Sequence, residues 1–88
     1  MKSVFTKEYS KLVAALIDAR KDADLTQQEL AQKLHKPQSF VSKYERKERR
    51  LDVVELVSIS LALGLDSCQI IREIEARLRS ELDQGAVS

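Results

Sequence analysis

Five helices and no strands is the architecture this sequence predicts, on three observations. Two Gly and one Pro in 88 residues are too few turn-formers for a hairpin-rich β fold. Apolar residues recur at intervals of three and four, the period of an amphipathic helix. A helix-start signature recurs in three places, each time just ahead of such a run. The expected class is all-α, a five-helix bundle with an extended C-terminal helix. At 10.0 kDa it holds one core, placed in a single domain over residues 1–83.

The first helix spans 6–21. Tyr9, Leu12, Val13, Leu16 and Ile17 line one side, with Lys7, Glu8, Lys11 and Asp18 opposite. Val4 and Phe5 are expected to tuck under the same core. Leu25-Thr26-x-x-Glu29-Leu30 then combines a capping box with a hydrophobic staple and starts a helix over 26–34. Pro37 starts the next, 38–47, because proline suits the first helical turn and disfavours helix in the residue before it. Leu51-Asp52-x-x-Glu55-Leu56 starts 52–63, which Gly64 closes from a left-handed position. That helix is apolar nearly all round (Val53, Val54, Leu56, Val57, Ile59, Leu61, Leu63) and is expected to be the central buried element. Leu65-Asp66-x-x-Gln69-Ile70 starts the last helix, 66–82, and residues 84–88 are expected as a frayed tail.

Composition excludes several function classes. One Cys rules out an internal disulfide, and Cys68 with the lone His35 falls short of a four-ligand zinc site. Cys68 reads as a buried small residue. No Gly-rich phosphate loop and no carboxylate pair in an evident cleft are present, so neither enzyme activity nor any cofactor or metal is expected. No apolar run approaches the roughly 20 residues of a membrane span, and no signal-peptide core precedes the first helix. An intracellular protein is expected.

Net charge is only +1, but it is segregated. Residues 1–50 carry 12 Lys/Arg against 7 Asp/Glu; residues 51–88 carry 3 against 7. Within 36–50, Lys36, Lys43, Arg46, Lys47, Arg49 and Arg50 oppose only Glu45 and Glu48. Such a distribution fits one anion-facing surface and a second surface with another task.

The anion-facing surface maps to segment 26–46. Ala31 is small enough to let a second helix cross closely, with Leu30, Leu34, Val41 and Tyr44 packed around the crossing. The helix from 38 turns Val41 and Tyr44 inward and Gln38, Ser39, Ser42, Lys43 and Arg46 outward. That outer row is rich in hydrogen-bond donors and nearly empty of acids. The helix starts at 26–27 and 37–38 add backbone N–H groups suited to phosphate. A donor-rich helix beside anion-binding helix ends is what reading a major groove requires.

Thr26-Gln27-Gln28-Glu29-Leu30-Ala31-Gln32-Lys33-Leu34, followed by Val41-Ser42-Lys43-Tyr44-Glu45-Arg46, resembles the Cro/phage-repressor-like (XRE-type) helix-turn-helix DNA-binding domains, over about Leu16 to Leu65. The resemblance implies a lambda-repressor-like domain whose helix-turn-helix is 26–46. It implies that Gln38, Ser39 and Lys43 face base edges, and that Gln27, Ser42 and Arg46 contact phosphate; Lys36 and Lys47 join the phosphate contacts. Gln bonds adenine bidentately and Lys suits guanine O6/N7, so the chemistry agrees. Arg20 and Glu45 match a structural ion pair of the family. Three positions depart from the family pattern: His35 stands in place of the turn Gly, Pro37 in place of a capping Ser or Thr, and Lys47 in place of the Gly after the third helix. Lys47 leaves that helix free to run longer or to exit differently.

In the last helix, Ile70, Ile71 and Ile74 are expected to pack inward. Ile74, Leu78 and Leu82 are assigned to a homodimer interface, because a two-fold dimer matches a two-fold DNA site with half-sites on the order of 34 Å apart. The expected function is a cytoplasmic, bacterial or phage-encoded transcriptional regulator, most simply a repressor, that binds double-stranded DNA. The alternative is an antitoxin or accessory module that binds a protein partner through the acidic C-terminal helix.

Overall fold

The computed structural model describes residues 6–87. Among them are five α-helices and no strand: α1 (Lys7–Asp22), α2 (Gln27–Leu34), α3 (Gln38–Glu45), α4 (Val53–Ala62) and α5 (Ser67–Val87). The chain is all-α. Val4 and Phe5, expected under the core, lie outside the described residues.

Side chains fix most of the helix starts. Thr6 Oγ1 accepts the Tyr9 N–H at 3.1 Å and caps α1. Thr26 and Asp52 each close a full capping box. Thr26 Oγ1 accepts from Glu29 N–H at 3.0 Å while Glu29 Oε1 accepts from Thr26 N–H at 2.9 Å. Asp52 Oδ1 accepts from Glu55 N–H at 2.7 Å and Glu55 Oε1 from Asp52 N–H at 2.9 Å. The third signature behaves differently. Asp66 Oδ1 accepts from Cys68 N–H at 2.9 Å, and Gln69 Nε2 reaches forward to Glu73 Oε2 at 3.3 Å instead of closing a box. An ionised acceptor one turn ahead holds the amide donor that a glutamate at the same position would lack.

Left-handed residues end four of the helices: Asp24 (φ 60°), His35 (φ 57°), Lys47 (φ 61°) and Gly64 (φ 72°). Each sits in a Schellman pair of backbone bonds. At Lys47, Glu48 N–H reaches Lys43 O at 2.8 Å and Lys47 N–H reaches Tyr44 O at 3.0 Å. The helix expected over 38–47 therefore stops at Glu45, and Lys47 itself takes the conformation for which glycine is usual. At the other end of the chain, α5 continues to Val87, through most of the segment expected to fray. Each residue added to an existing helix costs far less than nucleating one, and no proline interrupts it.

The core gathers Tyr9, Leu12, Val13 and Leu16 of α1, Leu30 and Ala31 of α2, Phe40, Val41 and Tyr44 of α3, and Leu56 and Ile59 of α4. Ile70 and Ile74 of α5 pack against it, half-buried. Ala31 is buried where α2 meets α3, the pair with the most extensive contact.

Four burial expectations are corrected. α4 is not the central element, since Val53, Val54 and Leu61 are 68–74% exposed and only Leu56, Ile59 and Ser60 are buried. One layer of neighbouring helices covers one face of α4, and an all-apolar sequence does not say which. Ile71 is exposed because it stands about 100° around α5 from Ile70, off the face against α1. Cys68 is exposed, in the first turn of α5. Glu8 is buried, because it lies four residues before Leu12 at the edge of the same stripe.

Candidate nucleic-acid interface

Arg20, Gln27 and Glu45 lock the two helices of the motif to α1. Glu45 Oε2 accepts from Arg20 Nε at 2.7 Å, and Oε1 accepts from Arg20 Nη2 at 3.1 Å and Gln27 Nε2 at 2.8 Å. Arg20 Nη1 also donates to Leu25 O at 2.7 Å, just ahead of the α2 cap. One buried guanidinium thus joins α1, the entry to α2 and the end of α3. Its bonds to Glu45 raise the Arg20 pKa against the opposing effect of burial.

The α2–α3 turn depends on His35. A left-handed residue there reverses the chain within one step, so that Lys36 N–H bonds Ala31 O at 3.0 Å. Pro37 then presents α3 with no side-chain cap and no acid in the first turn, leaving the positive end of that helix uncovered by side chains.

From this frame α3 divides into two sides. Phe40, Val41 and Tyr44 point inward, with Phe40 and Tyr44 edge to face at a centroid distance of 5.6 Å. Tyr44 carries a hydroxyl that finds no partner among the described residues, and burial pushes its pKa up strongly. On the other side Gln38, Ser39, Lys43 and Arg46 are exposed and Ser42 is half-buried. None of the described residues covers that row.

The basic residues around the motif are fixed individually. Lys36 Nζ lies 5.6 Å from the centre of the Phe40 ring and the Arg49 guanidinium 4.9 Å from it. Arg49 also forks onto Glu55 at 2.9 and 2.6 Å, which holds the Glu55 carboxyl well below its usual range, at about 2. Arg46 forks onto Glu48 at 2.9 and 3.1 Å. Lys47 Nζ donates to Ser10 Oγ at 3.2 Å. Arg50 lies 4.6 Å over the Tyr9 ring, whose hydroxyl accepts from Leu51 N–H at 3.0 Å. The loop after α3 is thereby stapled to the first turns of α1.

Of the assigned positions, Gln38, Ser39 and Lys43 stand together on one exposed face. Gln27 is held by Glu45, Arg46 by Glu48, Lys36 against Phe40 and Lys47 against Ser10. Phe40 and Tyr9, the aromatic supports of the basic residues, were not singled out for that role by the sequence. For Phe40 a signal exists: positions 40, 41 and 44 share one helical face. The two arginine forks leave no signal at sequence level, because they depend on rotamers.

A short helix laid across the end of a second, with an exposed polar row and a basic rim, defines the class of helix-turn-helix DNA-binding regulators. The chain belongs to the helix-turn-helix family HTH_3, whose model matches residues 16–70, and it is an XRE-type member. It is similar to an XRE-family like protein from Pseudomonas syringae pv. tomato (44% identity, 80% of this chain and 85% of that one, TM-score 0.75). It is also similar to the clp gene regulator ClgR from Corynebacterium glutamicum (26% identity, 83% and 95%, TM-score 0.68). The restriction-modification controller protein C.Esp1396I shares the fold at 22% identity (84% and 97%, TM-score 0.71). Among curated proteins no relative matches the sequence. Among the described residues no group of three or more His, Cys, Asp and Glu is placed to hold a metal, and no helix is long and apolar enough to cross a membrane.

Proposed function

We propose that this DNA-binding regulator is sequence-specific and acts as a two-fold dimer, most simply as a repressor that occupies an operator and obstructs polymerase. The observation that carries the reading is the exposed row Gln38, Ser39 and Lys43 on α3, backed by a fully packed inner face. In this reading those three side chains meet base edges. Phosphate is met by Lys36, Lys47, Ser42 and the α2 start at Gln27, while Arg46, expected from the sequence among these contacts, is instead forked onto Glu48. Gln27 works here by its backbone N–H and its second amide hydrogen, since the first is given to Glu45.

The dimer reading rests on α5. Twenty-one residues make a helix of about 31 Å, and Ile71, Leu78 and Leu82 are 44%, 40% and 71% exposed along it. With half-buried Ile74 they line a shallow apolar groove flanked by Glu75, Arg79 and Asp83. A self-complementary patch of this kind suits a two-fold interface.

Titrating salt against binding to a duplex tests the electrostatic part. Neutralising Z phosphates gives log K a slope of about −0.9Z against log salt. A steep slope, shared by operator and random duplex, supports the reading; a complex insensitive to salt contradicts it.

A further inference from the structure

The basic rim contains its own competitor for phosphate. Arg46 stands at the end of the outward row of α3, and its guanidinium is held by both oxygens of Glu48, Nε to Oε2 at 2.9 Å and Nη2 to Oε1 at 3.1 Å. The planar fork of arginine matches a carboxylate in the way it matches a phosphate, and Glu48 both takes the Nε–Nη2 edge of that fork and offsets its charge. The backbone holds this arrangement in place. Lys47 takes the left-handed turn between the two residues, and Glu48 N–H bonds back to Lys43 O at 2.8 Å. Glu48 is thereby folded against the last turn of the recognition helix. Its carboxylate is stabilised by Lys43 as well as by Arg46.

Lys36, Lys43 and Lys47 are in a different position. Lys36 rests on a ring, Lys47 on a hydroxyl, and among the described residues neither of them nor Lys43 is bonded to a carboxylate. Bonds to a ring or a hydroxyl leave more of the positive charge available to an incoming phosphate, even with Glu48 and Glu55 acting on Lys43 and Lys36 through space. A carboxylate cancels it.

We propose that Glu48 is an affinity-setting residue of the DNA interface, holding Arg46 off the phosphate backbone so that the lysines carry the electrostatic contact. This rests on the reading of α3 as the DNA-facing helix. Glu48 lowers affinity for operator and random duplex alike, since a phosphate contact carries no sequence information.

Fluorescence anisotropy on one fixed duplex tests it, with four full-length proteins: wild type, Glu48→Gln, Arg46→Gln and the double variant. Glu48→Gln should bind about three- to tenfold tighter near 0.1 M salt, with a log–log salt slope steeper by about 0.9, the signature of one added phosphate contact. Arg46→Gln alone should change affinity less than about twofold, and in the Glu48→Gln background it should abolish the gain. Both positions are exposed, so thermal melts should superimpose and confirm that all four proteins fold. If Glu48→Gln binds no tighter and no more steeply, the inference fails while the DNA reading stands. Arg46→Gln weakening the wild type as much as it weakens Glu48→Gln overturns it too, because Arg46 would already be on phosphate. A wild type that binds no duplex removes the underlying reading as well.

Discussion

Arg20 and Glu45, twenty-five residues apart, meet in a two-bond fork whose side chains are only 11% and 6% exposed. Their contact fixes how α3 sits, because it ties the end of α3 to α1 while Gln27 ties the same carboxylate to the start of α2. Burial makes the pair costly to break from one side: the remaining charge keeps its desolvation penalty and loses its partner. Glu45→Ala should therefore destabilise the fold by about 3 kcal/mol. Replacing both residues together by apolar ones of similar volume should cost much less. Chemical denaturation of the two variants checks this. Equal losses would mean that the pair contributes by its attraction and not by its burial.

Tyr44 gives a prediction of opposite sign. Its hydroxyl is buried without a hydrogen-bond partner among the described residues, a cost that removing the oxygen should relieve. Tyr44→Phe should keep the fold and gain roughly 1 kcal/mol in stability. The pH dependence follows from the raised phenol pKa. The neutral form is favoured in the folded protein, so its contribution is complete below the unfolded value of 10.0 and is lost as pH rises beyond it. Wild type should lose stability above pH 10 more steeply than Tyr44→Phe, in thermal melts between pH 9 and 11. Superimposable pH profiles would show that the ring is reached by solvent.

The turns store strain that glycine would release. Lys47 and His35 hold φ near 60° with a Cβ in place, at a cost of about 1 kcal/mol each. Lys47→Gly and His35→Gly should each raise the melting temperature, and the double variant should be additive because the sites lie in separate turns. A fall in melting temperature at position 47 would show that the Lys47–Ser10 contact outweighs the backbone strain.

How far the sequence reads this fold depends on which physics is local. The starts of α2 and α4 are legible because a capping box closes within four residues, between Thr26 and Glu29 and between Asp52 and Glu55. The end of α3 is less so: Lys47 accepts a glycine's conformation for the sake of the backbone bonds it completes. The face of α4 is illegible from periodicity, since Val53, Val54 and Leu61 are as apolar as Leu56 and Ile59, and only the neighbouring helices choose between them. For the candidate site, the outward row on α3 follows from helical spacing. The holding of Arg46 by Glu48 and of Arg49 by Glu55 does not, because both forks are set by side-chain rotamers around a loop.

The exposed stripe on α5 predicts association. Leu78→Glu with Leu82→Glu should leave the far-ultraviolet dichroism near that of wild type, because both residues are exposed on the single chain. The same double variant should sediment as a monomer, whereas wild type is expected to sediment as a dimer. Monomeric wild type, with and without duplex DNA, would assign the stripe to some other partner.

Selection of bound duplexes from a random-sequence pool probes most directly whether the α3 row reads bases. The account predicts enrichment of a two-fold symmetric site with half-site centres about 34 Å apart. Gln38→Ala and Lys43→Ala should each relax preference at particular base pairs of that site by about 1–3 kcal/mol. A pool that emerges with no enriched sequence, or a site whose preferences survive both substitutions unchanged, would contradict it.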